Sequence, residues 1–360
     1  MQVQFLYSPQ DFVKDVFRGS ENCPSPSKFD ALIREGWTDR MERGLFHYHL
    51  GDLETRILPG PNGYVAQLNI QRGIKRRKPQ EILSIQQEFN PSHFNFNKIK
   101  ADEIFCEMMK DAGRGIHVPD GQLPQPCKIV VLINVSPLEF GHCLFVPDPS
   151  FCLPQILTRA AVQAGIDSVL LSSSPGFRVG FNSLGAFASV NHLHLHGYYL
   201  DHELKIESVL LKPLIPEKNF FRIQGFPVGF LFFTEAGDVD SVARAICEVT
   251  DFLVAENFPH NLFITRGCPP SREMQSAEER CLRRGVRIAI WPRIACFGVK
   301  EESAFNVALC ELAGHLPFKN KKDFECTTER EVISIVQKYL LPDDEFQRLE
   351  KRLVKHLLTL

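Results

Sequence analysis

Apolar and polar residues alternate most regularly in the stretch VNHLHLHGYY, from Val190 to Tyr199. Successive side chains of an extended chain point to opposite faces, so this alternation predicts a β-strand. His192, His194 and His196 would share one face, and the leucines between them would pack into a core from the other. Valine and tyrosine at the ends of the stretch also favour a strand.

The surrounding patterns predict an α+β fold, in which helices pack on a mainly antiparallel sheet. Further strands are predicted at 64–70, 127–137, 141–148, 167–174, 176–183, 228–234, 260–267 and 285–293. Helices are predicted at 153–165, closed by Gly165, and at 241–256 and 343–358. The basic segment 71–80 is predicted to be a loop, either a solvated surface or a phosphate-binding arm.

The order of these elements restarts near Lys212 and loosely repeats the order of the first half. We therefore divide the chain into a catalytic half, 1–211, and a C-terminal α+β half, 212–360. The first half includes an irregular N-terminal part. The second half is interpreted as a degenerate copy of the first, although no second HxH pattern occurs in it.

Composition narrows the functional classes. The net charge is −2 over 360 residues, which offers no strong field for nucleic acid or a membrane surface. No apolar run reaches the roughly 18 residues of a membrane-spanning helix, and the first residues lack the layout of a signal peptide. Eleven cysteines without any CxxC spacing favour reduced thiols. We expect a soluble, cytoplasmic protein without a cysteine-based metal site.

Three imidazoles on one strand face suit two kinds of chemistry. Histidine is a common ligand of transition metals. It can also act as a nucleophile, with neighbouring groups orienting the ring. The alternative without chemistry is a polar sheet face, which is less frequent for three histidines at regular spacing than for a pair.

The HxHxH pattern, preceded by FNSLGAFASVN, resembles the histidine-triad superfamily of nucleotide hydrolases and transferases. The resemblance implies that the middle histidine, His194, attacks the α-phosphate and becomes nucleotidylated. His192 would orient it or stabilise the developing charge. His196 would contact the leaving-group side of the phosphate.

The same resemblance assigns nucleotide-binding roles to residues around the triad. Asn182, Ser183, Gly185 and Ser189 match the phosphate loop of the superfamily. Asn134, in LINVSPLEFGHCLFVP, falls where the superfamily usually has an aspartate for the ribose hydroxyls. An asparagine can still accept a hydroxyl hydrogen bond, but it lacks the charge.

Three separated segments, YVAQLNIQRGIKRRKPQ, FNFNK and SVNHLHLHGYYL, resemble the GDP-hexose phosphorylases, which include plant enzymes for GDP-L-galactose and animal enzymes for GDP-D-glucose. The resemblance implies phosphorolysis of GDP-D-glucose to GDP and glucose 1-phosphate, through a covalent GMP–histidine intermediate. The partners would be a GDP-hexose and inorganic phosphate, with no cofactor and no metal. Lys75, Arg76, Lys78 or Lys98 would hold the second phosphate.

Three alternatives remain open at this stage. The first is a histidine-triad hydrolase that uses water, because the plant members have glutamine where this chain has His196. The second is a non-enzymatic guanine-nucleotide regulator. The third is a zinc enzyme with three histidine ligands, although such ligands usually come from more than one strand or loop.

Overall fold

One large sheet extends through both halves of the chain. The structure is a computed structural model that describes residues 3–19, 25–77, 79–111, 128–270, 282–297 and 304–359. Its strands are β1 (Val3–Tyr7), β2 (Val16–Phe17), β3 (Thr55–Ile57), β4 (Val65–Leu68), β5 (Ile104–Lys110), β6 (Lys128–Ile133), β7 (Cys143–Pro147), β8 (Phe177–Asn182), β9 (Leu195–Tyr199), β10 (Leu211–Ile215), β11 (Phe220–Ile223), β12 (Phe230–Thr234), β13 (His260–Gly267), β14 (Leu282–Arg283), β15 (Gly285–Pro292) and β16 (His315–Phe318). Its helices are α1 (Lys28–Glu42), α2 (Ile70–Lys75), α3 (Arg159–Leu171), α4 (Val239–Ala255), α5 (Leu309–Ala313), α6 (Lys321–Cys326), α7 (Glu329–Gln337) and α8 (Asp343–Thr359).

The large sheet has eleven strands in the order β1-β5-β6-β7-β9-β8-β13-β15-β12-β11-β10. Its pairs are antiparallel except for β1 and β5, which run parallel. Strands β3, β4 and β16 form a smaller sheet, and β2 pairs with β14. The predicted α+β class with a mainly antiparallel sheet is confirmed.

The strand order is mirrored about the pair β8 and β13. From the centre outwards, the first half contributes β8, β9, β7, β6 and β5, and the second half contributes β13, β15, β12, β11 and β10. Helix α3 connects β7 to β8, and α4 likewise connects β12 to β13, and the two helices contact each other. This correspondence supports a degenerate repeat, whereas the domain boundary between Leu211 and Lys212 stays a prediction.

Side chains along the central strands point alternately to the two faces of the sheet and pack into two separate hydrophobic cores. In β13, Leu262 and Ile264 face the core that contains α1, α3, α4 and α8, whereas Phe263 faces the opposite core. That second core contains β4, β16 and helices α5 to α7. Leu193 and Leu195 pack into the first core, as the alternation predicts, so the opposite face of β9 is directed towards the second layer.

The predicted helix at 153–165 is shifted in the structure. Helix α3 begins after Thr158, whose side chain accepts a hydrogen bond from the Ala161 N–H, and it ends at Leu171. Gly165 therefore lies inside the helix and is not its terminus. The predicted strand at 167–174 is wrong as well, because most of this segment belongs to α3 and to the turn after it.

Two further local predictions need correction. Segment 71–80 was expected to be a loop, but α2 occupies Ile70–Lys75, with the Asn69 side chain accepting from the Arg72 N–H. The histidine segment is a strand only over Leu195–Tyr199. Before it, the Leu193 N–H donates to the Leu153 carbonyl and the His194 N–H to Gln155 Oε1, so the chain bonds to a loop instead of a neighbouring strand.

Within the described residues, no helix combines the length and apolar character that crossing a membrane requires.

Replacing Gly165 with leucine should lower the free energy of unfolding by about 1–3 kcal/mol, because new atoms would overpack the interface between α3 and β13. A Cβ at this position would already lie 2.8 Å from Ile264 Cδ1. Urea unfolding measures the change. Gly51→Leu is the matched control, since a Cβ at Gly51 meets nothing within 4 Å, and its effect should stay within about 0.5 kcal/mol. Equal stability of the two variants would contradict this packing.

Candidate active site

Two neighbouring cavities lie beside the histidine segment. The large cavity has a volume of about 460 Å³ and the small cavity about 80 Å³. Both are lined by Arg72, Arg76, Arg77, Ser189 and His196. Because they share these side chains, we treat them as two compartments of one site.

His194 lines the small cavity and is oriented by the main chain. Its Nδ1 lies 2.7 Å from the carbonyl oxygen of His192. A carbonyl can only accept, so Nδ1 carries the proton and Nε2 keeps a lone pair. Burial lowers the pKa of His194 to about 4, and the ring is neutral at pH 7. His194 is therefore a neutral ring with a defined tautomer and a lone pair on Nε2, which is the form in which an imidazole can act as a nucleophile.

His196 has its tautomer set by a fourth histidine, His142. The Leu138 N–H donates to His142 Nδ1 at 2.7 Å, and burial lowers the pKa of His142, so the neutral ring carries its proton on Nε2. That nitrogen lies 3.1 Å from His196 Nδ1 and donates to it, whereas the Asn134 amide nitrogen, which can only donate, lies farther away at 3.3 Å. Burial also keeps the pKa of His196 well below its usual range. His196 is therefore neutral, with its remaining proton on Nε2.

His192 lies in a different environment from the other two. It lines neither cavity. Its ring packs against Phe89 and Phe96, and the Phe96 N–H donates to its Nδ1 at 3.1 Å. Burial lowers its pKa to about 4, a shift that the Pro149 carbonyl partly offsets. The sequence placed all three rings on one face, whereas the structure brings only His194 and His196 to the cavities, because the strand begins after His194.

Asn182 and Ser189 stand at opposite ends of the phosphate loop, 182–189, and both line the large cavity. The Leu309 N–H donates to Asn182 Oδ1 at 3.0 Å. This bond fixes the amide orientation, so Asn182 Nδ2 is left as a donor at the cavity. Ser189 borders both cavities and is only half-buried.

Ser183 and Gly185 shape the loop without lining a cavity. The Ser183 hydroxyl accepts from the His260 N–H at 2.9 Å and donates to the Leu184 carbonyl. Gly185 has a φ of +73°, which a glycine adopts without strain. These two residues bend the loop and attach it to β13, and their predicted contact with a nucleotide stays a prediction.

The cations at the cavities include one of those expected, Arg76, together with others that were not. Arg72, Arg76 and Arg77 line both cavities, and Lys319 lines the large one. The Arg72 guanidinium donates to the Ser136 carbonyl. Burial, with the neighbouring Arg72, lowers the pKa of Arg76 to about 10, which leaves it charged at neutral pH. This cluster gives the site a positive potential suited to phosphate groups.

Of the lysines predicted to hold phosphate, Lys75 and Lys98 do not line either cavity. Lys75 is exposed at the end of α2. The Lys98 ammonium donates to the carbonyls of Ser92 and His93, which keep it at the surface. Lys78 lies outside the described residues.

The small cavity combines apolar walls with a few polar groups. Phe94, Phe96 and Leu132 are among its lining residues, and the Arg77 guanidinium lies 3.3 Å from the centre of the Phe94 ring. Asn134 also lines it, with Oδ1 accepting from the Ser136 N–H at 3.1 Å. Aromatic faces next to a cation suit the stacking of a nucleobase.

Besides these cations, two further residues of the site, His142 and Glu311, were missed from the sequence. His142 follows a glycine in an apolar strand segment, and that isolated polar residue was the available signal. Glu311 is buried and lines the large cavity. Its Oε2 accepts from the Ala308 N–H at 2.9 Å, and burial raises its pKa. Nothing local distinguishes Glu311 from other helical glutamates.

Within the described ranges, no group of three or more His, Cys, Asp and Glu side chains is arranged to hold a metal ion.

The tautomers can be observed directly by ¹⁵N NMR of the imidazole rings. At pH 7, His194 should be protonated at Nδ1 and His196 at Nε2. Because burial depresses the pKa of His194 to about 4, its signals should not titrate between pH 8 and pH 5.5. A solution histidine would titrate near 6.5 in that range.

Two matched variants of His142 test whether this residue sets the tautomer of His196. His142→Gln keeps a donor near the position of Nε2, whereas His142→Phe removes it. The His196 tautomer should persist in the first variant and become mixed in the second. An Nε2 proton retained by His196 in His142→Phe would contradict the proposed fixation.

Both halves of the chain match known proteins of one family. Family profiles described as "GDPGP1-like, N-terminal domain" and "GDPGP1-like, C-terminal domain" match residues 28–198 and 212–360, respectively. The crystal structure of yeast Ap4A phosphorylase Apa2 in complex with AMP is similar in fold, with a TM-score of 0.56 at 14% identity, covering 88% of this chain and 97% of that chain.

Relatives at higher identity carry two related names. The chain is 56% identical over 353 residues to GDP-D-glucose phosphorylase 1 of Danio rerio, covering 98% of each chain. It is 45% identical to the Homo sapiens protein of that name, covering 97% of this chain and 91% of the human one. GDP-L-galactose phosphorylase 1 of Arabidopsis thaliana is 29% identical, over 96% of this chain and 78% of the plant protein. The resemblance predicted from three sequence segments is confirmed, and the chain belongs to the GDPGP1-like family.

Proposed function

We propose that this protein phosphorolyses GDP-D-glucose to GDP and glucose 1-phosphate through a GMP–His194 intermediate. The observation that supports this most directly is the neutral His194 ring, whose Nδ1 proton is held by the His192 carbonyl at 2.7 Å and whose Nε2 is free beside an arginine-lined cavity. Relatives named GDP-D-glucose phosphorylase 1, at up to 56% identity, support the choice of substrate.

The reaction proceeds in two displacements. Nε2 of His194 forms a bond to the α-phosphorus, the bond to the bridging oxygen breaks, and glucose 1-phosphate leaves with the electron pair. The imidazole becomes cationic, and its Nδ1 bond to the His192 carbonyl strengthens because charge-assisted hydrogen bonds are stronger. An oxygen of inorganic phosphate then attacks the phosphorus, the P–N bond breaks, and GDP leaves neutral His194 behind.

The two cavities suit the two ends of the substrate. The small cavity, with Phe94, Phe96 and Asn134, takes part of the guanosine, where a ring can stack and ribose hydroxyls can meet an amide. Because its volume is only about 80 Å³, the rest of the nucleoside extends along the arginines that both cavities share. The large cavity takes the second phosphate and the hexose. Arginines at the junction stabilise the charge that develops on the phosphate oxygens during each displacement.

Glu311 gives the large cavity its selectivity for a sugar. The Glu311 carboxylate attracts Arg72 and Arg76 and repels phosphate, so the substrate groups that suit it are neutral hydrogen-bond donors. Hexose hydroxyls are such donors, and Oε2 is already used by the Ala308 N–H, which leaves Oε1 for the substrate. The hexose therefore lies between Glu311 and the arginine cluster.

His196 favours phosphorolysis over hydrolysis. A base that activates water needs a lone pair directed at the water, whereas His196 Nε2 carries a proton because His142 donates to its Nδ1 at 3.1 Å. It can donate to a phosphate oxygen but not accept from water there. Phosphate needs no such help, because it arrives as an anion that is already nucleophilic. This supports the phosphorylase over the histidine-triad hydrolase.

Incubation with GDP-glucose labelled in the α-phosphate should give an acid-labile label on the protein, and phosphate should release it as GDP. His194→Ala should lose both the label and turnover while GDP still binds, because only the nucleophile is removed. Mass spectrometry of the labelled peptide and product analysis measure this. Label on His194→Ala would refute the nucleophile, and GMP as the main product at saturating phosphate would indicate a hydrolase.

Glu311→Gln should lower kcat/KM for GDP-glucose by about fivefold, since a hydrogen bond to a charged group is worth roughly 1 kcal/mol more than a neutral one. The second half-reaction, phosphate attack on preformed GMP–enzyme, should be unchanged because no hexose takes part. Single-turnover kinetics separate the two steps. Equal losses in both would show that Glu311 does not act through the sugar.

A further inference from the structure

Asn261 connects the C-terminal half of the chain to the phosphate loop. It lies on β13 directly opposite Asn182 of β8 and is fully buried. Its Nδ2 donates to Asn182 Oδ1 at 2.7 Å and to the Ala186 carbonyl at 2.9 Å. It therefore touches the loop at its first residue and near its middle, without lining either cavity.

The direction of these hydrogen bonds is unambiguous. The Ala186 carbonyl can only accept, so the Asn261 atom facing it is Nδ2. The Arg293 guanidinium can only donate, and its Nη1 lies 3.1 Å from Asn261 Oδ1. Asn182 Oδ1 thus receives two donors, the Asn261 amide and the Leu309 N–H. Inverting the Asn261 amide would lose bonds at both of its ends, and inverting the Asn182 amide would turn its N–H groups towards two donors.

Arg293, which donates to Asn261, is itself buried and in contact with several groups. It is 1% exposed and also donates to the Val307 carbonyl. Its guanidinium lies 4.9 Å from the centre of the Phe187 ring and 5.0 Å from that of Tyr339. Phe187 belongs to the phosphate loop and has a φ of +71°. The same cation therefore contacts the loop and orients Asn261.

We propose that Asn261 and Arg293 are positioning residues, which hold the Asn182 amide with its N–H groups directed at the reacting phosphate. The inference rests on the proposed function, in which Asn182 contacts that phosphate. Without two donors on Oδ1, the Asn182 amide could rotate and present its oxygen to the phosphate. A preorganised donor lost from such a site typically reduces kcat by about 10²–10³-fold.

Asn261→Asp tests the hydrogen bonds that lead from Arg293 through Asn261 to Asn182, and it changes the size of the side chain little. The new carboxylate still accepts from Arg293 but has no N–H for Asn182 Oδ1, and it attracts Asn182 Nδ2 away from the cavity. We expect kcat for GDP-glucose phosphorolysis to fall at least tenfold, with the Kd for GDP changed less than threefold. Thr265→Val is the matched control, because Thr265 is buried on the same strand and its hydroxyl bonds to the Arg266 carbonyl. Its kcat should stay within twofold.

The Asn182→Ala background separates positioning from general destabilisation. If Asn261 acts through Asn182, adding Asn261→Asp to Asn182→Ala should not lower kcat further. Multiplicative losses, or wild-type kcat in Asn261→Asp alone, would overturn the positioning role while leaving the proposed function intact. Wild-type kcat in Asn182→Ala would instead remove Asn182 from the proposed site. If Asn261→Asp does not fold, Arg293→Lys replaces it, and the same loss of kcat without a loss of GDP binding is expected.

Discussion

The side chain of Gln155 bonds to the main chain on both sides of His194. Its Oε1 accepts from the His194 N–H at 2.9 Å, and its Nε2 donates to the His194 and Asn182 carbonyls at 3.1 and 3.0 Å. These bonds replace the strand partners that His194 would otherwise need. They hold the residue outside β9, so that its Nδ1 reaches the His192 carbonyl. The tautomer, and with it the nucleophile, depends on this one buried amide.

The site is shared between the two halves of the chain. The first half supplies the histidines, the phosphate loop and the arginines in and directly after α2. The second half supplies the Leu309 N–H, Glu311 and Asn261. Continuity of the sheet across β8 and β13 brings these groups together, since Asn182 and Asn261 face each other in register. The C-terminal half, which has no HxH pattern of its own, thus contributes buried groups to the site that contains the histidines of the first half.

Much of the fold was predictable because apolar patterning is local. The predicted strands at 141–148, 176–183, 260–267 and 285–293 and the helix at 241–256 correspond to elements of the structure. The boundaries of α3 were not predictable, because Gly165 is accommodated by close packing on Ile264, a residue far away in the sequence.

The site itself was predictable only in part. His194 and His196 were identified from spacing, and Asn182 and Asn134 from resemblance. The cations were predicted in part: Arg76 lines the cavities as expected, with Arg72 beside it, whereas the Lys98 ammonium bonds to the carbonyls of nearby residues, which the sequence does not reveal. Glu311 and Asn261 reach the site through tertiary contacts that no local pattern reports. His192 was misplaced because β9 begins at Leu195, five residues after Val190, where the alternating pattern begins.

Burial of the imidazoles also limits the conditions under which the protein stays folded. The described chain contains several buried histidines with a depressed pKa: His142, His192, His194, His196, His260 and His315. In the unfolded chain each binds a proton near pH 6.5, but His194 in the native state does so only at about 4. Acid therefore favours the unfolded state, and stability present above pH 6.5 is lost as the pH falls towards 4. The arrangement that keeps the nucleophile unprotonated in neutral solution makes the whole fold sensitive to acid.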